Sequence, residues 1–316
     1  MRFARGSNGL PRGLRGLPRP VAAVVGGGGV YGATQVGVGY ALEQHGFVPD
    51  LIVGTSVGAF NGAVAAAHPG TAARSLALTW TGLRRREVFP FGLRSFRAGL
   101  FADAGLRRLI KRAGLPARIE DLPVPFVAVA TDLVTGEPVL LDHGDLESAL
   151  LASAAIPGVL PPVERDGRIL VDGGAVAHVP VLAARQAGAA SVVVVVTGRE
   201  ALPLRTTAPP RRAEAVAARA GLLMMHQQIE RDLREVSREI PTVVLPTGVV
   251  AWPALWDFSH SRRLIDAALL SASRFLDELV VTGPGLYRRE PVAAAPGAAP
   301  GTRTGTRATA RTGARR

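Results

Sequence analysis

Apolar residues along this chain fall into short unbroken runs, separated by longer segments with helical spacing. "VAAVV" (21–25) reads as a buried strand, and 32–45 as a helix that Gly46 ends. "DLIVG" (50–54) reads as a second strand, followed by a helix of small apolar residues at 57–67. "VPFVAVATD" (124–132), "RILVD" (168–172) and "SVVVVVTG" (191–198) predict further strands, with helices near 145–153 and 179–188. A long helix at about 211–239, a strand "TVVLP" (242–246) and a helix at about 260–280 complete the series. Strands alternating with helices predict an α/β protein whose largely parallel sheet is covered on both faces. No internal repeat is visible.

One stretch breaks the pattern. Residues 80–101 hold Phe89, Phe91, Phe96 and Phe101 among five arginines. It supports two expectations. In one it is an irregular insertion whose aromatics pack on the core. In the other it is a lid or lipid-contacting loop, since aromatics beside cations suit a headgroup boundary.

Composition narrows the picture. The chain has 316 residues, 47% of them hydrophobic and 20% charged, enough to bury a substantial core. It contains no cysteine, which excludes disulfides, thiolate metal sites and cysteine nucleophiles. The formal charge of +12 resembles a nucleic-acid signature until its distribution is seen. Residues 1–19 carry five arginines and no acid, and so do residues 291–316. Ten of the twelve charges therefore lie at 1–19 and 291–316, in Gly/Pro/Ala/Thr/Arg-rich ends that predict disordered tails, bounded at 1–19 and 286–316, around one domain at 20–285. No specific nucleic-acid partner is expected.

Residues 21–42 carry no charge and follow arginines, as a signal peptide or membrane anchor would. Seven glycines together with Thr34 and Gln35 make a poor membrane span, however, and the segment is read as a strand–helix unit. The expected location is cytoplasmic, with transient contact at a membrane surface.

The candidate chemistry starts at the same unit. "GGGGVYG" (26–32) lies between strand and helix, where bare backbone N–H groups and the helix dipole favour an anion. Gly27, Gly29 and Gly32 match G-x-G-x-x-G literally. A dinucleotide site also needs an acid at the end of the second strand, and that strand ends in Gly54. The strand instead runs into "GTSVG", with Gly54, Ser56 and Gly58 as G-x-S-x-G in the strand–turn–helix context of a nucleophile elbow.

A serine nucleophile needs a base. Six histidines are available, with His178 and then His260 as the best placed. The more conspicuous group is Asp172, which ends an apolar strand and is followed by Gly173 and Gly174. By itself it also fits an Asp that starts a turn.

Together these motifs resemble the bacterial patatin-like phospholipases. The glycine loop, GTSVG and DGG (172–174) stand in that family's order, and "VATDLVTGEPVLL" (129–141) and "ASAAIPGVLPPVERDGRILVDGG" (152–174) are similar to the family's connecting text. The resemblance covers about residues 21–198. It implies a three-layer α/β/α patatin-like fold with a mostly parallel central sheet. It also implies a Ser–Asp dyad, Ser56 as nucleophile and Asp172 as proton acceptor, with Gly27, Gly28 and Gly29 forming an oxyanion hole. The substrate class is a lipid or other carboxylic ester, and no metal or cofactor is implied. Two positions depart from the family pattern. Tyr31 stands where many relatives have Arg or Lys, and Ala177–His178 replace Asn followed by a small residue or proline. An acyltransferase using the same serine, and a lipid- or nucleotide-binding module without turnover, are the alternative readings.

Overall fold

The computed structural model describes residues 13–88, 100–197, 210–248 and 257–289. The apolar run Val21–Val25 (β1) forms the middle of a mixed sheet. Around it lie β2 (Leu51–Thr55), β3 (Phe126–Asp132), β4 (Pro138–Leu141), β5 (Val163–Arg165), β6 (Arg168–Asp172), β7 (Ser191–Val195), β8 (Pro241–Leu245) and β9 (Gly285–Tyr287). The order is β5-β6-β3-β2-β1-β7-β8-β9, with β4 also paired to β3. From β3 through β2, β1, β7 and β8 to β9 every pairing is parallel, whereas β4 and β6 run antiparallel to β3, and β5 antiparallel to β6. The chain leaves β1 in one direction and returns to its other side as β7. The end of β1 is thus the crevice where open α/β sheets place ligands.

The helices are α1 (Gly32–Gln44), α2 (Val57–Ala67), α3 (Ala72–Gly82), α4 (Arg85–Val88), α5 (Ala104–Arg112), α6 (Leu146–Ser153), α7 (Val181–Gln186), α8 (Ala213–Ser237) and α9 (Ser261–Glu278). Alternate residues of each strand face opposite layers. Val21, Ala23 and Val25 pack with α1, α2, α3 and α9, while Ala22 and Val24 pack with α7 and α8. Burial on both faces is why these strands read as continuous apolar runs. The expected three-layer architecture is present, and its mostly parallel sheet is extended at one side by antiparallel strands.

The domain edges differ from expectation. Leu14 and Leu17, placed in the N-terminal tail, are buried, and the Gly13 N–H donates to the Leu279 carbonyl at 2.9 Å. Arg19 pairs with Asp50, which also caps the entry to β1 through the Val21 N–H. The folded part therefore starts before residue 20. It also runs past 285: β9 ends at Tyr287, and Arg288 pairs with Glu230. Residues 1–12 and 290–316 lie outside the described residues, as do Phe89, Phe91 and Phe96. Phe101 is buried, in keeping with the core-packing expectation. Among the described residues no helix is long and apolar enough to cross a membrane.

Candidate active site

β2 passes into α2 through Ser56, whose backbone adopts φ 56° and ψ −124°. A left-handed conformation at a residue with a Cβ costs on the order of 1–3 kcal/mol and persists only where its surroundings enforce it. They do so here from three directions. The Ser56 N–H donates to Ser153 Oγ at 2.9 Å, and that hydroxyl donates in turn to the Val129 carbonyl at 2.6 Å. The Ser56 carbonyl accepts from the Ala59 and Phe60 amides as α2 begins. Gly54 and Gly58 then let the elbow close, since a Cβ on Gly58 would stand 2.2 Å from the Val25 carbonyl oxygen and one on Gly54 2.5 Å from that of Gly58.

Asp172 arrives from the other side. It ends β6 opposite Ala130, its N–H bound to the Ala155 carbonyl and its carbonyl to the Thr131 hydroxyl. Its side chain is buried and accepts two bonds: from Ser56 Oγ to Oδ2 at 2.6 Å, and from the Gly174 N–H to Oδ1 at 2.7 Å. Burial pushes the carboxyl above the ordinary carboxylate range; the two hydrogen bonds and the nearby His178 draw it back only in part. A buried carboxyl so shifted is suited to exchange a proton with a hydroxyl. Gly173 and Gly174 form the turn after the strand.

His178 is the one histidine that lines the cavity over this pair. His260 pairs with Asp257 at the start of α9, and His45 and His143 pair with Asp277 and Asp142. The Ser56 hydroxyl donates to Asp172. Among the described residues no group of three or more His, Asp or Glu side chains is assembled to hold a metal ion.

The glycine loop needs one correction. The Gly27 N–H donates to the His178 carbonyl at 2.8 Å, and the Gly26 N–H to that of Val195 at 3.0 Å, so neither points at an incoming anion. Gly28 and Gly29 border the cavity, and their amides donate to no described residue. Gly28 has φ 145°, and a Cβ there would lie 2.4 Å from Thr197 Oγ1. The oxyanion donors expected at Gly27, Gly28 and Gly29 thus narrow to the last two.

Sequence reasoning passed over the groups that hold this loop. Gln35 donates to the Gly26 carbonyl at 2.6 Å, Asn61 donates to Gln35 and to the Gly32 carbonyl, and Trp80 donates to Asn61 at 3.0 Å. All three side chains are buried, so the network ties α1, α2 and α3 to the loop without an unpaired group. Each is a polar residue or indole in an otherwise small or apolar helical segment, which is the signal that marks it. Ser153, at the end of α6, carries the same signal.

Over the Ser56–Asp172 pair opens a cavity of about 550 Å³. Among the described residues its walls are almost wholly apolar, from Phe60, Trp80, Leu106, Leu109, Leu150 and Leu160, with Ser56, Asp172 and His178 as the polar side chains. Such a lining admits a hydrocarbon chain with a polar group held at one end.

The chain thus sets a serine hydroxyl, bonded to a buried carboxyl, beside a glycine loop on a sheet covered on both faces. Comparison with known sequences places it more narrowly. The sequence model of the family described as "Patatin-like phospholipase" matches residues 23–185, more than half of the chain. The chain belongs to the patatin-like phospholipase family. It is 35% identical over 204 residues to an uncharacterised NTE family protein of Mycobacterium tuberculosis, covering 64% of this chain and 56% of that one. It is 33% identical over 184 residues to human patatin-like phospholipase domain-containing protein 6, covering 57% of this chain and 13% of that one. The chain thus spans about half the length of its mycobacterial relatives. Among solved structures, VipD from Legionella pneumophila aligns with 85% of this chain and 70% of its own, at 14% identity and a TM-score of 0.45.

Proposed function

We propose that this protein is a serine hydrolase of lipid carboxylic esters, with Ser56 as nucleophile and Asp172 as its base. The observation that carries this reading is the 2.6 Å hydrogen bond from Ser56 Oγ to Asp172 Oδ2 at the floor of an apolar cavity. Ser56 Oγ attacks the ester carbonyl carbon while its proton passes to Asp172. The oxyanion so formed takes hydrogen bonds from the Gly28 and Gly29 amides, at the positive end of the helical segment they open. Losing one such preorganised donor typically costs about 3–4 kcal/mol of transition-state stabilisation. Collapse expels the alcohol, which leaves with the proton held by Asp172, and the acyl group stays on Ser56. Water then attacks the acyl-serine, giving a proton to Asp172; collapse frees the fatty acid and returns that proton to Ser56 Oγ. The acyl chain occupies the cavity throughout.

The test is an activity screen of purified protein across p-nitrophenyl esters and lysophospholipids, with Ser56→Ala alongside. The intact protein should release fatty acid and take a fluorophosphonate label, and the variant should do neither. Labelling without turnover would leave a serine-reactive binding module. Products carrying the acyl group on an added alcohol in preference to water would make the protein an acyltransferase.

A further inference from the structure

The cavity wall built by α4 and α5 has a second side. Leu106 and Leu109 of α5 line the cavity, and Ile110 is buried with them. Helical spacing turns Arg107, Arg108, Lys111 and Arg112 to the opposite face, and all four are exposed. α5 itself contains no acid. α4 lies against its start: Val88 also lines the cavity, and a Cβ on Gly105 would stand 2.2 Å from the Val88 carbonyl oxygen. Arg84 precedes α4, Arg85 and Arg86 open it, and these three are exposed too. Arg107 pairs with Asp103 and Glu147. Among the described residues no acid pairs with the other six cations. On α7, α8 and α9, by contrast, Arg185, Arg234 and Arg262 have acid partners. Between its basic ends the chain is nearly neutral, so the charge on α4 and α5 is a local excess. Leu100, 55% exposed, stands at the same rim. Its N–H donates to the Gly158 carbonyl at 3.2 Å, next to Pro157, an exposed residue of the cavity lining.

We propose that the outer face of α4 and α5 docks this protein on a bilayer surface that carries anionic headgroups. This rests on the reading of the cavity as an acyl site and adds the surface from which the acyl chain is drawn. Exposed cations without acid partners make a field that an anionic surface complements. A helix with its side chains is ~10–12 Å thick, so a surface held on the outer face of α5 lies about that far from the cavity on its inner face. Leu100 and Pro157, exposed at the rim, suit a headgroup boundary, where apolar groups enter and cations stay at the level of the phosphates. A duplex nucleic acid would meet the cations but leave Leu100 and Pro157 without a partner.

The experiment is co-sedimentation of the full chain with phosphatidylcholine vesicles, with and without phosphatidylglycerol, at low and at high salt. Ser56→Ala is the parent, so that the lipid is not consumed. One variant adds Arg108→Gln, Lys111→Gln and Arg112→Gln, and a second adds Arg84→Gln, Arg85→Gln and Arg86→Gln. A control adds Arg238→Gln, Arg263→Gln and Arg274→Gln, exposed cations at the end of α8 and on α9. Glutamine keeps the helix propensity and removes the charge. The basic ends are the same in all these chains and contribute equally to each. The parent should bind vesicles with phosphatidylglycerol more tightly than phosphatidylcholine alone, and less tightly at high salt. Each cation at an anionic surface is worth roughly fivefold in binding, so either test variant should lose at least ~10-fold and the control less than about threefold. With Ser56 intact, the same substitutions should leave kcat/KM on a soluble p-nitrophenyl ester unchanged, since none of these side chains lines the cavity. Either test variant suffices if the other does not fold. Partitioning equal to the parent's, or a loss as large in the control, would overturn the proposal. So would substitutions that weaken binding to duplex DNA but spare the vesicles. A chain that partitions as expected yet hydrolyses no ester would refute the hydrolase reading and leave the docking face standing.

Discussion

Ser56 leaves a parallel strand through a left-handed turn, tied at its amide by Ser153 and closed by two glycines, whereas Asp172 ends an antiparallel strand with a negative φ, at φ −48° and ψ 129°. On the nucleophile's side the fold controls geometry. A strained residue must be held, and Ser153 holds it at the amide, while the Gln35–Asn61–Trp80 network fixes the glycine loop beside it. The acid's side needs little holding, and the fold there controls charge: burial, one backbone donor and a histidine. Damage on the first side should therefore appear as lost positioning at all pH, and on the second as a change in protonation.

The largest effect is expected at Ser56, the proposed nucleophile. Ser56→Ala should abolish turnover and covalent labelling while far-ultraviolet circular dichroism stays unchanged; hydrolysis persisting in this variant would place the chemistry elsewhere. Next comes Ser153→Ala, which leaves the Ser56 amide without its acceptor. It should cost about 1–3 kcal/mol of unfolding free energy for an unpaired buried donor. Its kcat should fall ~10-fold or more with little change in KM, since small misplacements are costly in catalysis. A kcat within twofold of wild type would show that the elbow holds its shape without this bond. The smallest effect contrasts the other side. Asp172 is raised in the folded protein, so its ionised form opposes folding, and Asp172→Asn should unfold at a temperature higher by roughly 2–4 °C at neutral pH. Raised carboxyls contribute their full stability below the unfolded pKa of ~3.9 and lose it as pH climbs through the folded value. The advantage of the variant should accordingly shrink in acid, and a lower melting temperature at neutral pH would contradict the sign.

Much of this was legible along the chain. β1 coincides with the apolar run 21–25, because a strand buried on both faces leaves no polar position to blur its ends, and β6 coincides with 168–172 although its Arg168 and Ile169 are exposed. The elbow was legible because glycine, serine and glycine follow such a run directly. β5 and β9, with three residues each, and β4, with an exposed first residue, carry too little apolar pattern to be seen. α5 could have been found from Leu106, Leu109 and Ile110, which recur at helical spacing amid charge. The occupation of the Gly27 amide could not, for it depends on a carbonyl 151 positions away, at His178. Nor could the reach of the fold to Leu14 and Leu17, since the arginines around them dominate the local composition.

The central claim, that Asp172 alone takes the proton of Ser56, is tested most directly by the turnover of Asp172→Asn on a soluble ester at the wild-type pH optimum. Asn keeps the shape of the side chain and the turn after β6 but accepts no proton at that pH. The account predicts a fall of ~10²–10⁴ in kcat, the usual contribution of a positioned base, with the protein folded and KM little changed. Turnover near that of wild type would contradict it.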